Sequence, residues 1–440
     1  MDAHQPRSGE RSYETQILMP DSIQDEQIVA YEAAIAELAA TTPAGSDPKV
    51  AKRLRHQFGS DSFYELIAIA LLQKKARQKL GDGVWWATDR ALQQATAWQV
   101  AKLKSGWLGD HLVYDLCCGI GGDAIQLANR ANEDGTHRHG GVVAVDMDPV
   151  ILQYADANLR KVKTVAAAFG ASGTGQVVET VCEDVLKIEI PAAAAIHLDP
   201  DRRVGGKRTT RPEDYQPALD AILPRIEAAP AAIIKLAPAA KIELGNATHR
   251  SWISLSGSVR EQSLVFGDAL RRAEMIPGAV SAIAVRSDGS ISRFDSDDRS
   301  AAEVESVRAE STKSPGQWII DPDAAIRAAG LTEFFASSYG LKTLGGPTGF
   351  LTSEGGIDDA TMKKIQSIAS VGEVIWSGSC DERKLRRELR RMNHYAEMIK
   401  VRGSGHDPAV LSKRFRECGE TPVGLWIGRA GKGVFAAFTR

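Results

Sequence analysis

The sequence predicts an α/β chain in three parts: a helical N-terminal domain, a central domain with a mainly parallel sheet, and a C-terminal α+β module. In the centre, short apolar runs alternate with helix-length segments, as in βαβ units. Before them, apolar residues recur at helical spacing, and after them a basic helix precedes two strand-like runs. The expected parts are a flexible tail at 1–25, the helical domain at 26–105, the sheet domain at 106–298, a linker at 299–316 and the α+β module at 317–440.

The N-terminal domain is predicted from its apolar periodicity. Ile28, Ile35 and Leu38 lie at helical spacing, and the same pattern returns near Phe63. A last helix is expected from about residue 89 to residue 104, just before the first strand. Aromatic side chains in such a region usually pack in the core. The tryptophans concerned are Trp85, Trp86 and Trp98.

Four short apolar runs predict parallel strands that are buried on both faces of the central sheet. They are Leu112–Leu116, Val142–Val145, Ala195–Leu198 and Ile233–Leu236. A later run, Val280–Val285, is expected to add an antiparallel strand. The segment Ala166–Gly175 is rich in Ala, Gly and Ser, which favours a loop.

The C-terminal module is predicted from two helices and two strand-like runs. The helices are expected near Asp323–Ala329 and Asp381–Met392, and the strands at Val423–Ile427 and Val434–Phe438. The whole chain has 54 Lys/Arg and 56 Asp/Glu, but from residue 381 onward there are 14 Lys/Arg and only 7 Asp/Glu. This asymmetry is typical of nucleic-acid-binding proteins, although a solvated helix face gives the same pattern.

The composition limits the classes of protein to consider. With 440 residues, 43% hydrophobic and 25% charged, the chain is neither wholly disordered nor collagen-like. No apolar run approaches the roughly 20 residues that span a bilayer, so we expect no membrane segment. Five cysteines without a CxxC pair indicate neither a disulfide framework nor a metal site. The first residues lack an apolar signal segment, and we expect a cytoplasmic protein.

The most informative segment is YDLCCGIGGDAIQLANR, residues 114 to 130. A strand is expected to end at Asp115, a turn to follow at Gly119 and Gly121, and a helix to open near Asp123. Glycines let the backbone adopt positive φ and let a ligand approach closely. The helix N-terminus offers unpaired N–H groups, which bind carboxylate or phosphate groups. The segment therefore predicts a cofactor site.

Two further carboxylates fit a nucleoside cofactor. Asp146 ends the second predicted strand, where an acid can accept hydrogen bonds from both ribose hydroxyls. Asp184 lies at a loop entry and could accept from an adenine amine, or it could simply be a turn residue. The Gly119-x-Gly121-x-x-Ala124 spacing also fits a dinucleotide fingerprint. That alternative leaves Asp115 unexplained and places Asp123, a like charge, beside the phosphates.

The order of an acid, a glycine-rich turn and a ribose-binding acid resembles the class I S-adenosylmethionine-dependent methyltransferases, which have a Rossmann-like sheet. Here the pattern reads Asp115-Leu-Cys117-Cys-Gly119-Ile-Gly121, with Cys117 where the family has its first glycine. The resemblance implies S-adenosyl-L-methionine as the cofactor. It implies that Asp115 contacts the methionine amino group and Asp146 the ribose. The implied cofactor-binding residues are Asp115, Cys117, Gly119, Gly121, Asp146, Met147, Asp184 and Val185.

The predicted reaction site follows the fourth strand, in HLDPDRRVGGK. Methyltransferases that act on amino groups usually have Asn or Asp here, then two prolines and an aromatic residue. The chain keeps Asp199 and Pro200 but then has Asp201 and Arg202. We expect Asp199 to position the substrate together with Pro200, and Asp201 to act as general base; a local Asp201–Arg202 ion pair is the alternative.

Three other residues near this strand have simpler expectations. His197 is expected to pack in the core. Lys235 lies where the next strand ends, and a surface position is expected there, with a position facing the active site as the alternative. No cysteine lies between Asp199 and Ser379. This disfavours carbon methylation through a cysteine nucleophile.

Three C-terminal segments resemble the THUMP-like domain of a bacterial family of RNA methyltransferases. They are WIIDPDAAIRAAG from residue 318, GFLTSE from residue 349 and IKVRGSGHDPAVLSKRF from residue 399. Related THUMP domains bind RNA, usually tRNA, through its backbone. The basic residues expected to contact RNA are Arg202, Arg203, Lys207, Lys400, Arg402, Lys413 and Arg414.

The resemblance implies a methyltransferase that modifies a base in tRNA or rRNA, presented by the basic C-terminal module. Two alternatives remain open. The chain could methylate a protein or a small molecule, with the C-terminal module serving assembly. It could also be a non-catalytic RNA-binding protein that keeps the cofactor fold, because no aromatic residue follows Asp199 and Pro200.

Overall fold

A computed structural model describes residues 25–41, 43, 45–130, 141–169, 177–204, 207–242, 245 and 247–440. The predicted tail lies outside these residues except for Asp25. The predicted loop Ala166–Gly175 lies outside them from Gly170 onward, and residues 166–169 still belong to a helix.

Helices form the N-terminal region, as predicted. They are α1 (Asp25–Ala40), α2 (Pro48–Phe58), α3 (Ser60–Leu80), α4 (Asp89–Gln94) and α5 (Trp98–Trp107). The single helix expected from residue 89 is in fact two, because Ala95 and Ala97 adopt extended backbone angles between them. Thr88 caps the first of these by accepting the Ala91 N–H at 3.1 Å. Among the described helices, none combines the length and apolar character needed to cross a bilayer.

The central region contains the expected alternation of strands and helices. Its strands are β1 (Val113–Leu116), β2 (Val142–Asp146), β3 (Val178–Cys182), β4 (Ala195–Leu198), β5 (Arg203–Val204), β6 (Lys207–Arg208), β7 (Ala231–Leu236), β8 (His249–Leu255), β9 (Ser258–Gly267), β10 (Ala279–Val285) and β11 (Ile291–Ser300). Its helices are α6 (Gly122–Ala128), α7 (Pro149–Phe169), α8 (Leu219–Ala228) and α9 (Asp268–Arg272), with a 3-10 turn at Pro212–Asp214.

In the described residues, β1–β4 and β7–β11 form a nine-stranded sheet in the order β11-β10-β8-β9-β7-β4-β1-β2-β3. Strands β3, β2, β1, β4 and β7 are parallel, and β9 runs antiparallel to β7 and β8. The expectation for Val280–Val285 is half right, since β10 is parallel to β8 and antiparallel to β11. Parallel neighbours end at one edge, so residues following β1, β2, β4 and β7 meet there.

The helical N-terminal region shares its hydrophobic core with the sheet. One buried cluster contains Leu38 and Phe63 from the helices together with Val113, Val142 and Ile283 from the strands. Trp85 and Trp86 are buried in it, as expected for packed tryptophans. The other sheet face buries a second cluster beneath α8. The region predicted as a separate helical domain is therefore one layer of the sheet domain.

The C-terminal region is α+β, as predicted. Its strands are β12 (Ser311–Thr312), β13 (Trp318–Pro322), β14 (Lys342–Leu344), β15 (Phe350–Ser353), β16 (Ala369–Ser379), β17 (His394–Arg402), β18 (Thr421–Ala430) and β19 (Gly433–Thr439). Its helices are α10 (Ala301–Ser306), α11 (Ala324–Ala328), α12 (Thr332–Ser338), α13 (Asp359–Ile368), α14 (Glu382–Arg391) and α15 (Pro408–Phe415). These strands form a sheet in the order β12-β14-β15-β13-β16-β19-β18-β17.

The segment predicted as a linker, 299–316, is structured. Ser300 and Glu303 form a capping box at the start of α10, and β12 pairs with β14. Val304 is buried in a cluster that also contains Trp252 of the central sheet and Ile320 of the C-terminal sheet. The polar composition predicted a linker, but the apolar side chains of this segment, Val304 with Ala301, Val307 and Ala309 packed beside it, anchor it between the two sheets.

Candidate active site

Four of the predicted acidic residues converge at the carboxyl edge of the sheet. Asp115 is the penultimate residue of β1, Asp146 ends β2, and Asp199 and Asp201 follow β4. Burial raises the pKa of the Cys117 thiol well above its ordinary value. All four carboxylates lie close enough to Cys117 to raise it further. The edge is therefore a concentration of negative charge, and Cys117 is held as a neutral thiol.

The turn after β1 keeps a left-handed backbone. Gly119 and Gly121 have φ of 55° and 81°, and Cys117, where the family has a glycine, has φ of 60°. A non-glycine residue in this conformation costs about 1–2 kcal/mol. A Cβ placed on Gly119 would have no described atom within 4 Å. The turn thus leaves room beside Gly119 for a ligand.

Asp146 links this turn to the loop after β2. Its Oδ2 accepts the Gly119 N–H at 2.9 Å, and its Oδ1 accepts the Asp148 N–H at 3.0 Å. Burial raises the pKa of Asp146 above its ordinary value, and these hydrogen bonds oppose the rise. The neighbouring Met147 is 73% exposed. The carboxylate is held in place beside the space at Gly119, as a ribose-binding acid requires.

Beneath the turn lies a buried charge cluster, which consists of Lys104, Asp115, Asp123, His197 and Glu261. Lys104 Nζ lies 3.1 Å from both Asp123 Oδ1 and Glu261 Oε1 and 3.2 Å from His197 Nε2. His197 Nδ1 lies 2.7 Å from Asp115 Oδ1. Since an ammonium can only donate, Nε2 accepts from Lys104 and Nδ1–H donates to Asp115.

Electrostatics within this cluster decide the protonation states. Burial opposes charge on Lys104, but Asp123 and Glu261 raise its pKa above the ordinary value. Burial likewise opposes charge on Asp123, and Lys104 holds the pKa of that carboxyl well below its usual range. Asp115 differs: burial raises its pKa, and its Oδ2 has no hydrogen-bond partner among the described residues. His197 is buried, as predicted, but it also orients Asp115.

Asp199 forms an ion pair with Lys235 from the end of β7. Lys235 Nζ lies 2.5 Å from Asp199 Oδ2 and 2.8 Å from Thr96 Oγ1. Lys235 is 4% exposed, so the expected surface position is wrong, and its contact with Asp199 agrees with the alternative that it faces the active site. Its strand is central in the sheet, and the segment between α4 and α5 covers the strand end through Thr96.

Asp201 contacts α4 through its side chain. Its Oδ1 accepts from Gln94 Nε2 at 3.2 Å, and its Oδ2 lies 3.7 Å from Arg90 Nη2. Its backbone pairs in both directions with Gln216 at 2.9 Å. The ion pair considered for Asp201 thus forms with Arg90, and its role as general base stays a prediction.

Asp184 is engaged in its own turn. Its Oδ1 accepts the Leu186 N–H at 3.0 Å, and its Oδ2 lies 3.7 Å from Lys187 Nζ. This is the turn geometry that the sequence left open as the alternative. The adjacent Val185 is buried against the sheet. Contacts of these two residues with an adenine ring stay a prediction.

The structure divides the predicted RNA contacts into paired and unpaired side chains. Lys400 and Arg402 both bind the buried Asp321, at 2.8 and 3.1 Å, and Arg414 pairs with Glu382. Lys413 and Lys207 are exposed. Lys400 and Arg402 therefore neutralise a carboxylate inside the module while their side chains stay 22% and 34% exposed, and their contact with RNA stays a prediction.

The cluster residues Lys104 and Glu261 and the Thr96 contact were missed by sequence analysis. Lys104 and Glu261 lie on elements with an ordinary helix or strand pattern, Thr96 lies in the short segment between α4 and α5, and no spacing rule connects them across the chain. A lysine within the apolar face of a predicted helix was the one available signal, since a buried lysine needs a partner.

Comparison with known proteins finds relatives along nearly the whole chain. No family model matches the sequence. Two Mycobacterium tuberculosis proteins, from strains CDC 1551 and H37Rv, are each 30% identical over 401 residues, which is 88% of this chain and 98% of theirs. Both are named uncharacterized S-adenosylmethionine-dependent methyltransferases. A Porphyromonas gingivalis W83 crystal structure, provisionally assigned as a methyltransferase, has a TM-score of 0.67 at 16% identity, covering 94% of this chain and 98% of that one; the two share a fold.

Proposed function

The chain belongs to the family of S-adenosylmethionine-dependent methyltransferases, and on that premise we propose that it methylates RNA. The methyl donor is S-adenosylmethionine, whose sulfonium supplies an activated methyl group. The protein must hold this donor and place a nucleophile in line with the methyl group at about 3 Å.

The residues at the sheet edge fit this cofactor. The free Oδ2 of Asp115 is a buried acceptor without a described partner, suited to an ammonium such as the methionine amino group. The open space at Gly119 admits a ligand next to the backbone. Asp146 is fixed at the side of that space by two backbone N–H groups and would hold the ribose.

Replacing Asp146 by alanine is expected to weaken binding of S-adenosylmethionine by about 1–3 kcal/mol, since it leaves hydroxyls of the ligand unpaired. Isothermal titration calorimetry measures the change directly. Glu189→Ala is a matched control, because Glu189 is exposed and lies outside the site. Unchanged affinity of the Asp146 variant would remove Asp146 from the cofactor site.

The observation that carries the RNA proposal is the arginine face of α14. Arg383, Arg386 and Arg390 are exposed, lie within one side of the helix, and form no ion pair with a described residue. The helix is anchored by the buried Leu385 and Leu389, which fix the direction of this face. Unneutralised arginines on a rigid surface suit the phosphate backbone of a nucleic acid.

A second group of cations lies beside Asp199. The pKa of Lys79 falls to about 8, mainly because of burial and also because Lys235, Arg260 and Arg208 repel its charge. Cations therefore lie around the acidic sheet edge as well as on α14. A long polyanion such as RNA can contact both groups of cations.

We expect the double variant Arg386→Glu/Arg390→Glu to lose most of its affinity for tRNA. Two fewer phosphate contacts should lower the slope of log K against log salt concentration by about 1.5–2. Fluorescence anisotropy with labelled tRNA from 50 to 200 mM salt measures both quantities. The matched control is Lys49→Glu/Lys52→Glu, which reverses the same number of charges on exposed residues of α2.

Salt-insensitive binding, or equal losses in the two double variants, would contradict the RNA proposal and favour a protein or small-molecule substrate. Turnover separates the proposal from the non-catalytic alternative. Labelled methyl groups from S-adenosylmethionine should enter RNA from a strain that lacks this protein, whereas a non-catalytic RNA-binding protein would transfer none.

A further inference from the structure

At the predicted reaction site, a hydrogen-bond acceptor, Asp199, is in contact with a hydrogen-bond donor, Lys235. Asp199 Oδ2 accepts from Lys235, and no described residue donates to its Oδ1, which belongs to a side chain that is 21% exposed. Lys235 has three N–H donors, of which Asp199 and Thr96 take two. Within the described part of the chain nothing accepts the third. Among the described residues the pair therefore has one unoccupied acceptor, on a partly exposed side chain, and one unoccupied donor, on a buried side chain.

This arrangement is complementary to a hydroxyl group. A hydroxyl donates one hydrogen bond, which Asp199 can accept, and its oxygen has lone pairs to accept one from Lys235. A planar amino group of a base has two donors and would direct one of them at the ammonium. No aromatic side chain follows Pro200 to stack on a base, since Asp201 and Arg202 stand there.

The charge of Lys235 also favours a hydroxyl over an amino group as the methyl acceptor. A hydroxyl oxygen that loses its proton develops negative charge, which a neighbouring ammonium stabilises. An amino nitrogen that attacks a methyl group develops positive charge, which the same ammonium opposes. Lys235 is nearly fully buried, so water screens this effect little.

We propose that the methyl acceptor is the ribose 2′-hydroxyl of RNA, held between Asp199 and Lys235. The inference rests on the proposed function, because it takes RNA as the substrate, and it replaces the base that the sequence predicts. Within an RNA chain the 3′ and 5′ oxygens of each ribose are bonded to phosphate, so the 2′-hydroxyl is the free hydroxyl of the sugar.

In the transfer step the hydroxyl oxygen forms a bond to the methyl carbon while the carbon–sulfur bond breaks and its electron pair stays on sulfur. The hydroxyl proton passes to the free Oδ1 of Asp199 and from there to solvent. Lys235 donates a hydrogen bond to the oxygen and stabilises the charge that develops on it. The products are a 2′-O-methyl nucleotide, a neutral thioether and one proton.

Alkaline hydrolysis tests the acceptor atom in the wild-type protein. RNA from a strain lacking this protein is incubated with methyl-labelled S-adenosylmethionine and then digested with alkali, which cleaves only next to a free 2′-hydroxyl. We expect the label in alkali-resistant dinucleotides. Label in mononucleotides would place the methyl group on a base and overturn the inference while leaving the RNA proposal intact. No label in RNA would overturn both.

The role of Lys235 is tested by kinetics. Lys235→Met should lower kcat by about 100-fold or more, as loss of one oxyanion-stabilising donor does, while the affinity for S-adenosylmethionine by calorimetry stays within twofold. Lys241→Met is the matched control, since Lys241 is exposed outside the site. An unchanged or raised kcat is the result expected for an amine acceptor and would overturn the inference. If the variant fails to fold, the alkali test on wild-type protein decides alone.

Discussion

Replacing Lys104 by methionine is expected to lower the free energy of unfolding by about 3–5 kcal/mol, the usual cost of removing one partner from a buried ion pair. Lys104 is 1% exposed and contacts both Asp123 and Glu261 at 3.1 Å. Without it, two buried carboxylates lose their principal cation and must either stay charged or take up protons. Urea denaturation followed by circular dichroism at pH 7 measures the change.

Lys102→Met is the matched control for this experiment. Lys102 lies on the same helix, α5, but is exposed, and we expect a change within about 0.5 kcal/mol. A loss of less than about 1 kcal/mol for the Lys104 variant would mean that the cluster is hydrated in solution and that its charges are not mutually dependent.

The second large effect is expected at Asp321, which joins β13 to β17. Its carboxylate is nearly buried and contacts Arg327 at 2.9 Å, Lys400 at 2.8 Å and Arg402 at 3.1 Å. Asp321→Asn leaves these three cations without their carboxylate, and we expect a loss of about 3 kcal/mol at pH 7. Urea denaturation measures it, with Asp359→Asn as control because Asp359 is exposed at the start of α13.

The same carboxylate should show in the pH dependence of stability. Burial would raise the pKa of Asp321, but Arg327 and then Lys400 and Arg402 hold it below the ordinary value. A lowered pKa in the folded state stabilises at pH above the unfolded value of about 3.9, and the contribution disappears as the pH falls through the folded value. The wild type should therefore lose stability more steeply below pH 4 than Asp321→Asn. Parallel curves would contradict this reading.

The local sequence pattern was sufficient to predict features that depend on a single strand or turn. The run Ala195–Leu198 is a strand with the predicted bounds. The glycine turn also follows the first strand as predicted, although that strand ends at Leu116, one residue after Asp115. Strand ends could be located from composition, and the carboxyl ends of parallel strands necessarily share an edge. This is why Asp115, Asp146 and Asp199 could be grouped before their positions were known.

Partners distant in sequence could not be predicted in the same way. Lys235 looks like a strand-end lysine until Thr96, 139 positions earlier, covers it. Lys400 and Arg402 look like a basic surface until Asp321 is placed against them. In each case the charge of a residue was readable, but its exposure depends on which distant segment packs over it, and composition carries no information about that.

The shared core of helices and sheet has a consequence for the order of events during synthesis. Ile28, near the first described residue, and Val285 belong to the same buried cluster. Helices α1 to α5 therefore leave the ribosome before the strands that cover their apolar sides. These strands are complete only after more than half of the chain has been made. During that interval we expect chaperones to bind the nascent chain, because its exposed apolar surface promotes aggregation.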